Sequence, residues 1–418
     1  MSGKKITNFI LILSLVILLF GTGYKLGEYK TIREINKQNY DNVNTSEDNN
    51  AKTRNIDFSL FWDTWNRVEE KFVDKKKLDA KKMFYGAIKG MVASLGDPYT
   101  FFMSPDENKQ SKDDLKGKFE GIGAQLGLKD NRITVIAPLK NSPAEKAGVK
   151  PGDYITKVNN ESTNGWTLSQ AVSKIRGNKG TKVKLTFERN GKEYEKEIVR
   201  DQINVSSVEL SYDKIFNCKS DCQKVAYLKL NQFGDDTAGQ WDKAVEEIGS
   251  KWQKNEIKGM ILDLRDNPGG YLDGAVYLAS EFLPEGKLVV KQESTPADSK
   301  DYLSFNSGKL QGIPLVILIN KGSASASEIL AGALRDYKKA TLVGEKSFGK
   351  GSVQEAIDLK DGAGLHITVA KWILPNGDWI NSKGIEPQVK IENQIKEGNT
   401  LTRELDLQLE KAVELLVK

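Results

Sequence analysis

Three short segments carry residue types suited to acyl transfer. The first is Gly322-Ser-Ala-Ser-Ala-Ser-Glu328, which follows an apolar run at 315–319 and leads into the helical pattern Ile329, Leu330, Ala333, Leu334. A serine at such a strand-to-helix turn lies beside free N–H groups that can stabilise an oxyanion, and its small neighbours let a substrate backbone approach. Capping is the competing role for Ser and Ala at a helix start. The second is Ser347-Phe-Gly-Lys-Gly-Ser-Val-Gln354, with Lys350 between two glycines. A lysine becomes a general base when desolvation lowers its pKa, and flanking glycines permit the backbone that points it inwards. Gln354, four residues on, could hold the amine by a hydrogen bond. A phosphate loop is excluded, because Gly351 stands where Ser or Thr should follow the lysine. The third is Asp263-Leu-Arg-Asp-Asn-Pro-Gly-Gly270, whose glycine N–H groups could face a reacting carbonyl or simply form a turn.

Counting removes other chemistries. The single histidine, His366, excludes histidine pairs and imidazole-rich metal triads. It sits in Leu365-His-Ile-Thr-Val369, where Leu365, Ile367 and Val369 alternate onto one face and His366 onto the other, as a strand-surface residue. That count removes most zinc hydrolases. The 62 basic and 57 acidic residues are interspersed, and a net charge of +5 gives no nucleic-acid footprint.

The elements that must position these segments follow from composition along the chain. At 418 residues, 39% hydrophobic and 28% charged, it is long enough for several domains with their own cores. An uncharged run at 6–24, preceded by Lys4 and Lys5, reads as a transmembrane anchor or a signal segment (1–24) that places the rest outside the cytoplasm. A polar stalk (25–56) follows. Phe58, Phe61, Trp65, Val68 and Phe72, then Phe84, Ile88, Met91, Val92 and Leu95, predict helices in an N-terminal region (57–115). Short β runs punctuated by Gly, Asn and Asp predict a small β-rich domain (116–202). Strands alternating with helices predict an α/β core (203–392), followed by an amphipathic C-terminal helix (393–418) using Leu405, Leu409, Ala412, Val413 and Leu416. The fold class is thus multidomain, α/β and β-rich. Cys218 and Cys222 could close a local disulfide outside the cytoplasm.

Taken in order, the three motifs and Gly96-Asp-Pro-Tyr-Thr100 resemble the carboxyl-terminal processing peptidases, or tail-specific proteases, over residues 58–391. The resemblance implies a serine endopeptidase in which Ser325 is the nucleophile, Lys350 the general base and Gln354 the residue orienting it. It also puts oxyanion donors at the Ala326 N–H and at Gly269 or Gly270, a choice left open. Phe119-Glu-Gly-Ile-Gly-Ala124, with Ser142-Pro-Ala-Glu-Lys-Ala-Gly-Val149 and Pro151-Gly-Asp153, resembles a PDZ domain inserted before the protease core. That likeness makes Gly121, Ile122, Gly123 and Ala124 the loop binding a peptide carboxylate. Arg176 either relays peptide binding to the core or is a solvated helix-end charge. Implied partners are protein or peptide substrates with free, apolar C-termini, the membrane through the anchor, and a second copy in a homodimer. The implied location is the bacterial envelope, single-pass with the catalytic part outside, or secreted if the leader is cleaved. The alternative is an inactive PDZ peptide-binding scaffold.

Overall fold

The computed structural model describes residues 57–139, 141–166, 168–214, 224–295, 298–305, 308–393 and 401–417. The expected anchor, the stalk and the Cys218–Cys222 pair lie outside the described residues. Among the described residues, no helix is long and apolar enough to cross a membrane. Two compact units divide at Asp79/Ala80. In the first, helix α1 (Ser59–Lys71) starts where the Asp57 carboxylate accepts from the Ser59 N–H at 2.8 Å. It buries none of its residues, and Phe58, Phe61, Trp62, Val68 and Phe72 are exposed on or beside it.

The second unit opens with α2 (Ala80–Ala93), strand β1 (Phe101–Met103) and α3 (Pro105–Leu115). The expected helical region thus also contains a strand, which pairs far along the chain. Helix α3 begins as its sequence dictates, with Pro105 in the first turn and Glu107 accepting from the Ser104 N–H at 2.8 Å.

Next comes a small β domain: β2 (Lys118–Gly121), β3 (Ala124–Lys129), β4 (Arg132–Pro138), α4 (Pro143–Lys146), β5 (Tyr154–Val158), β6 (Glu161–Ser162), α5 (Leu168–Ile175), β7 (Lys182–Arg189), β8 (Lys192–Val199) and β9 (Asp201–Asn204). Strands β3-β4-β5-β7-β8 form an antiparallel sheet around Ile133, Val135, Ile155, Leu185 and Phe187, closed by Ala171 and Ile175 of α5. The leading strand β2 pairs with the departing strand β9, and the Val205 N–H donates to Gly117 O at 2.9 Å.

The core contains β10 (Val208–Lys214), β11 (Lys224–Leu230), α6 (Thr237–Gln253), β12 (Ile257–Asp263), α7 (Leu272–Ser280), β13 (Leu288–Thr295), β14 (Asp298–Leu303), β15 (Leu315–Ile319), α8 (Ala326–Asp336), β16 (Thr341–Gly344), β17 (Ser352–Asp358), β18 (Gly364–Ile373), β19 (Val389–Lys390) and α9 (Leu407–Val417). Its main sheet runs β10-β11-β12-β15-β16-β19 and is parallel from β11 onward. Covered on both faces, β12 and β15 read as continuous apolar runs. Met260, Leu262, Ile317 and Leu342 pack towards α6, α7 and α8, whereas Ile261, Val316, Leu318 and Val343 pack towards Leu409, Ala412, Val413 and Leu416 of α9. The apolar stripe of α9 is thus consumed within the chain. Its start is fixed by Arg265, buried between Asp263 and Asp406, with Arg265 Nη1 at 2.8 Å from Asp406 Oδ1. A second sheet is organised on β18, which pairs with β1, β13 and β17.

Candidate active site

Parallel strands deliver their C-terminal ends to one edge of a sheet, where loops can meet. The loops after β12, β15 and β16 are the three segments singled out above. Ser325 occupies the turn from β15 into α8 with φ 56° and ψ −117°. For a residue with a side chain this backbone is strained by roughly 1–3 kcal/mol, the kind of turn that presents a nucleophile at the end of a strand. Ser323 and Ser327 fix that turn: Ser323 Oγ donates to Leu264 O at 2.7 Å and Ser327 Oγ to Asn267 O at 3.0 Å.

The loop after β12 is held against it. Asn267 is fully buried; its Nδ2 donates to Leu230 O at 2.7 Å and its backbone O accepts from the Ala324 N–H at 3.0 Å. A Cβ added at Gly269 would meet Ser325 Cβ at 2.8 Å and the Ala326 nitrogen at 2.9 Å, so only glycine lets the loops approach this closely. The Gly269 N–H is occupied, donating to Asn267 Oδ1 at 2.9 Å. The N–H groups of Gly270 and Ala326 have no acceptor among the described residues. Gly270 is itself clamped, because Phe233 donates to Gly269 O at 2.9 Å and accepts from the Tyr271 N–H at 2.8 Å.

Lys350 completes the cluster. Burial pushes its amine below the usual lysine range, against the opposing pull of Asp97 and Glu328, which favour the charged form. Its Nζ stands 5.4 Å from the centre of the Tyr99 ring. No hydrogen bond joins Lys350 Nζ to Ser325 Oγ or to Gln354 among the described residues. The expected grip of Gln354 on Lys350 is therefore not made in this structure. Gln354 Nε2 donates instead to Ser352 Oγ at 2.8 Å and to Thr368 Oγ1 at 3.2 Å. The register of β17 against β18 shifts between Val353 and Gln354, and such a shift redirects a side chain.

His366 lies on β18 facing Phe101 at 4.8 Å between ring centres. Burial, and secondarily the charge of Lys350, keep its imidazole below the usual range. Val369, expected to share the inward face with Leu365 and Ile367, is exposed.

The buried carboxylate of Glu328 joins the loops. It accepts from the Ser325 N–H at 2.9 Å, the Lys350 N–H at 2.9 Å, the Gly349 N–H at 2.7 Å and Ser347 Oγ at 2.5 Å. Sequence reasoning passed over Glu328, although Ser325-x-x-Glu328 is a capping-box pattern. It also passed over the side chains of Asp97 and Tyr99, whose place beside Lys350 depends on the distant pairing of β1 with β18. Asn267 and Phe233 left no signal beyond their loops.

In the β domain, Gly121, Ile122, Gly123 and Ala124 connect β2 to β3. Ile122 is buried and its carbonyl accepts from the Ala144 N–H at 2.8 Å. Gly123 has φ 72°, and a Cβ there would strike Ser142 Cβ at 2.5 Å. Arg176, at the end of α5, lies 4.6 Å from the Phe119 ring centre and pairs with Asp114 of α3 at 2.7 Å, so it is pinned between elements and not a solvated charge.

Comparisons with known proteins agree with this architecture. Residues 224–391 match Peptidase family S41, residues 134–189 match the PDZ domain, and residues 18–107 match the Activating protease CtpB N-terminal domain. Carboxy-terminal processing protease CtpB of Bacillus subtilis is 40% identical over 319 residues, 76% of this chain and 64% of that protein. A probable CtpA-like serine protease of Staphylococcus haemolyticus is 43% identical over 76% of this chain and 61% of its own length. The chain thus spans less than two thirds of these curated relatives. Among solved structures, a photosystem II D1 C-terminal processing protease covers 86% of this chain and 97% of its own, with a TM-score of 0.54 and 27% identity.

Proposed function

Because this chain belongs to peptidase family S41 and carries a PDZ domain, we propose that it is a serine endopeptidase that recognises the C-terminus of protein substrates and cleaves them through Ser325 and Lys350. The observation that carries the reading is the close approach of the Gly269–Gly270 loop to Ser325 and the Ala326 N–H. Neutral Lys350 accepts the Ser325 Oγ proton as Oγ bonds to the scissile carbonyl carbon. The oxyanion lies between the N–H groups of Ala326 and Gly270; Gly270 is preferred over Gly269 because the Gly269 N–H already serves Asn267. The C–N bond breaks as the Lys350 ammonium protonates the leaving amine. Water, deprotonated by Lys350, then hydrolyses the acyl-enzyme. Lys350 must leave the Tyr99 ring to reach Ser325, and such hydrogen bonds often tighten only with substrate bound. Gln354 orients the amine in that engaged state. No metal or cofactor takes part.

Residues 121–124 bind the substrate's terminal carboxylate, with the tail added alongside β3. Arg176 links this loop to α3 through Asp114 and relays its occupation to the core. The segment 1–24 anchors the protein in the membrane of a bacterial envelope, with the catalytic part outside. The exposed aromatic face of α1 serves a homodimer. The PDZ domain spans 116–202 and the peptidase core 203–392, with residues 80–115 joined to that core through the pairing of β1 with β18.

The test compares an unfolded protein ending in a free apolar C-terminus with its amidated form. Wild type should cleave the first faster, and Ser325→Ala should cleave neither. Binding of the free tail without cleavage by wild type would instead favour the inactive scaffold.

A further inference from the structure

The loops that carry Ser325 and Lys350 both end on Glu328. Its side chain is 1% exposed. One oxygen, Oε2, accepts from the backbone N–H groups of Ser325 and Lys350, both at 2.9 Å. The other, Oε1, accepts from the Gly349 N–H at 2.7 Å and from Ser347 Oγ at 2.5 Å. Ser347 Oγ in turn accepts from the Ile385 N–H at 2.6 Å, so the far wall of the base loop is joined to the same group. An ordinary helix cap would need only the Ser325 contact; three of the four donors come from residues 347–350.

We propose that Glu328 is a positioning residue that sets the distance between nucleophile and base by holding both backbones on one carboxylate. The inference rests on Ser325 and Lys350 being the reacting pair. Glycines on either side of Lys350 leave its backbone little rigidity of its own, so the loop depends on these bonds. Glu328→Gln keeps the shape but presents an NH2 group to N–H donors. Glu328→Asp keeps the charge but withdraws the oxygens by about one C–C bond, roughly 1.5 Å. A misplacement of about 1 Å costs on the order of 10²-fold in rate.

Two rival roles give different results. Were Glu328 only a charge near Lys350, Asp would restore activity, and Gln would move the acid limb of the kcat/KM profile to lower pH by removing a group that favours the ammonium. Were it only a helix cap, both variants would lower the melting temperature and leave kcat intact. As a positioning residue, both variants lose about 10²-fold in kcat, with KM little changed. In Glu328→Asp, which keeps the charge, the acid limb moves to higher pH, because a loosened Lys350 regains water while Asp97, Tyr99 and His366 still surround it.

The experiment measures kcat, KM, the pH profile and the melting temperature of the full chain for wild type, Glu328→Gln, Glu328→Asp and Ser347→Ala. Ser347→Ala removes one of the four donors and should show the same pattern more weakly, which keeps the test valid if the Glu328 variants do not fold. Undiminished kcat in folded Glu328→Asp or in Ser347→Ala, or an acid limb displaced to lower pH in Glu328→Asp, overturns the proposal. Cleavage by Ser325→Ala, run alongside, would instead overturn the assignment of the pair on which it rests.

Discussion

Replacing Gly269 by alanine probes the space in front of the proposed oxyanion hole with a single methyl group. The added Cβ would stand 2.9 Å from the Ala326 nitrogen, 2.8 Å from Ser325 Cβ and 2.7 Å from the Ala324 carbonyl oxygen. A donor N–H holds its oxyanion at roughly 2.7–3.1 Å, so the methyl competes for that shell, and losing one such donor costs about 10²–10³ in kcat, or about 2.7–4 kcal/mol. The backbone adds a separate penalty, since φ is 99° there. For an L-residue, positive φ costs about 1–2 kcal/mol, and this affects stability whether or not the site is disturbed. Gly286→Ala supplies the comparison: φ is 79° and nothing lies within 4 Å of its added Cβ. Steady-state cleavage of one tailed substrate, measured well below both melting temperatures, separates the effects. Gly269→Ala should lose about 10²–10³ in kcat, whereas Gly286→Ala should lose stability only. A Gly269→Ala enzyme within about tenfold of wild type, or an equal loss in Gly286→Ala, would refute the placement of the oxyanion.

Other outcomes follow from the same structure. In the proposed mechanism Lys350 works as the neutral amine, and burial lowers its pKa, so kcat/KM should rise with pH through a value below the ordinary 10.5. Asp97→Asn removes a charge that favours the ammonium, so it should move that limb to lower pH; a shift upward would contradict the assignment. Ser325→Ala should lose at least about 10⁴-fold in cleavage while retaining tail binding, measured by calorimetry with the free and amidated peptides. At the Arg265 cluster, burial would raise the Asp406 carboxyl, but its bonds to Arg265 hold it below 3.8. Its contribution to stability is therefore present above the unfolded value and lost as pH falls through the lower, folded one. Asp406→Ala, leaving Arg265 partly unpaired and buried, should cost about 3–5 kcal/mol by guanidinium unfolding at neutral pH; a change under about 1 kcal/mol would contradict that.

The loops of the candidate site were legible because each combines a residue type with a local pattern: small residues at a strand end, a lysine flanked by glycines, a glycine pair after a buried strand. The α/β core and the PDZ-matching segment were legible for the same reason, as runs of 2.0 or 3.6 periodicity. What failed to show were relations between distant segments. Which glycine N–H is free depends on where the Asn267 side chain turns. The direction of Gln354 depends on a shift of pairing between β17 and β18. Asp97 and Tyr99 reach Lys350 only because β1 docks on β18, a separation of some 260 residues that no window of sequence spans. The stripe of α9 is taken up by the Leu409, Ala412, Val413 and Leu416 contacts with the main sheet.

The pairing of β2 with β9, and the bond from the Val205 N–H to Gly117 O at 2.9 Å, bring the chain's departure from the core and its return side by side. A segment attached through adjacent ends is exchangeable: a foreign insert with neighbouring termini, or a tight turn, could join Gly117 to Val205 without moving Tyr99, Asn267 or Ser325. On the proposed reading, selection can therefore act on tail binding and on cleavage as nearly independent traits. Asp114 and Arg176, paired at 2.7 Å, lie at that seam.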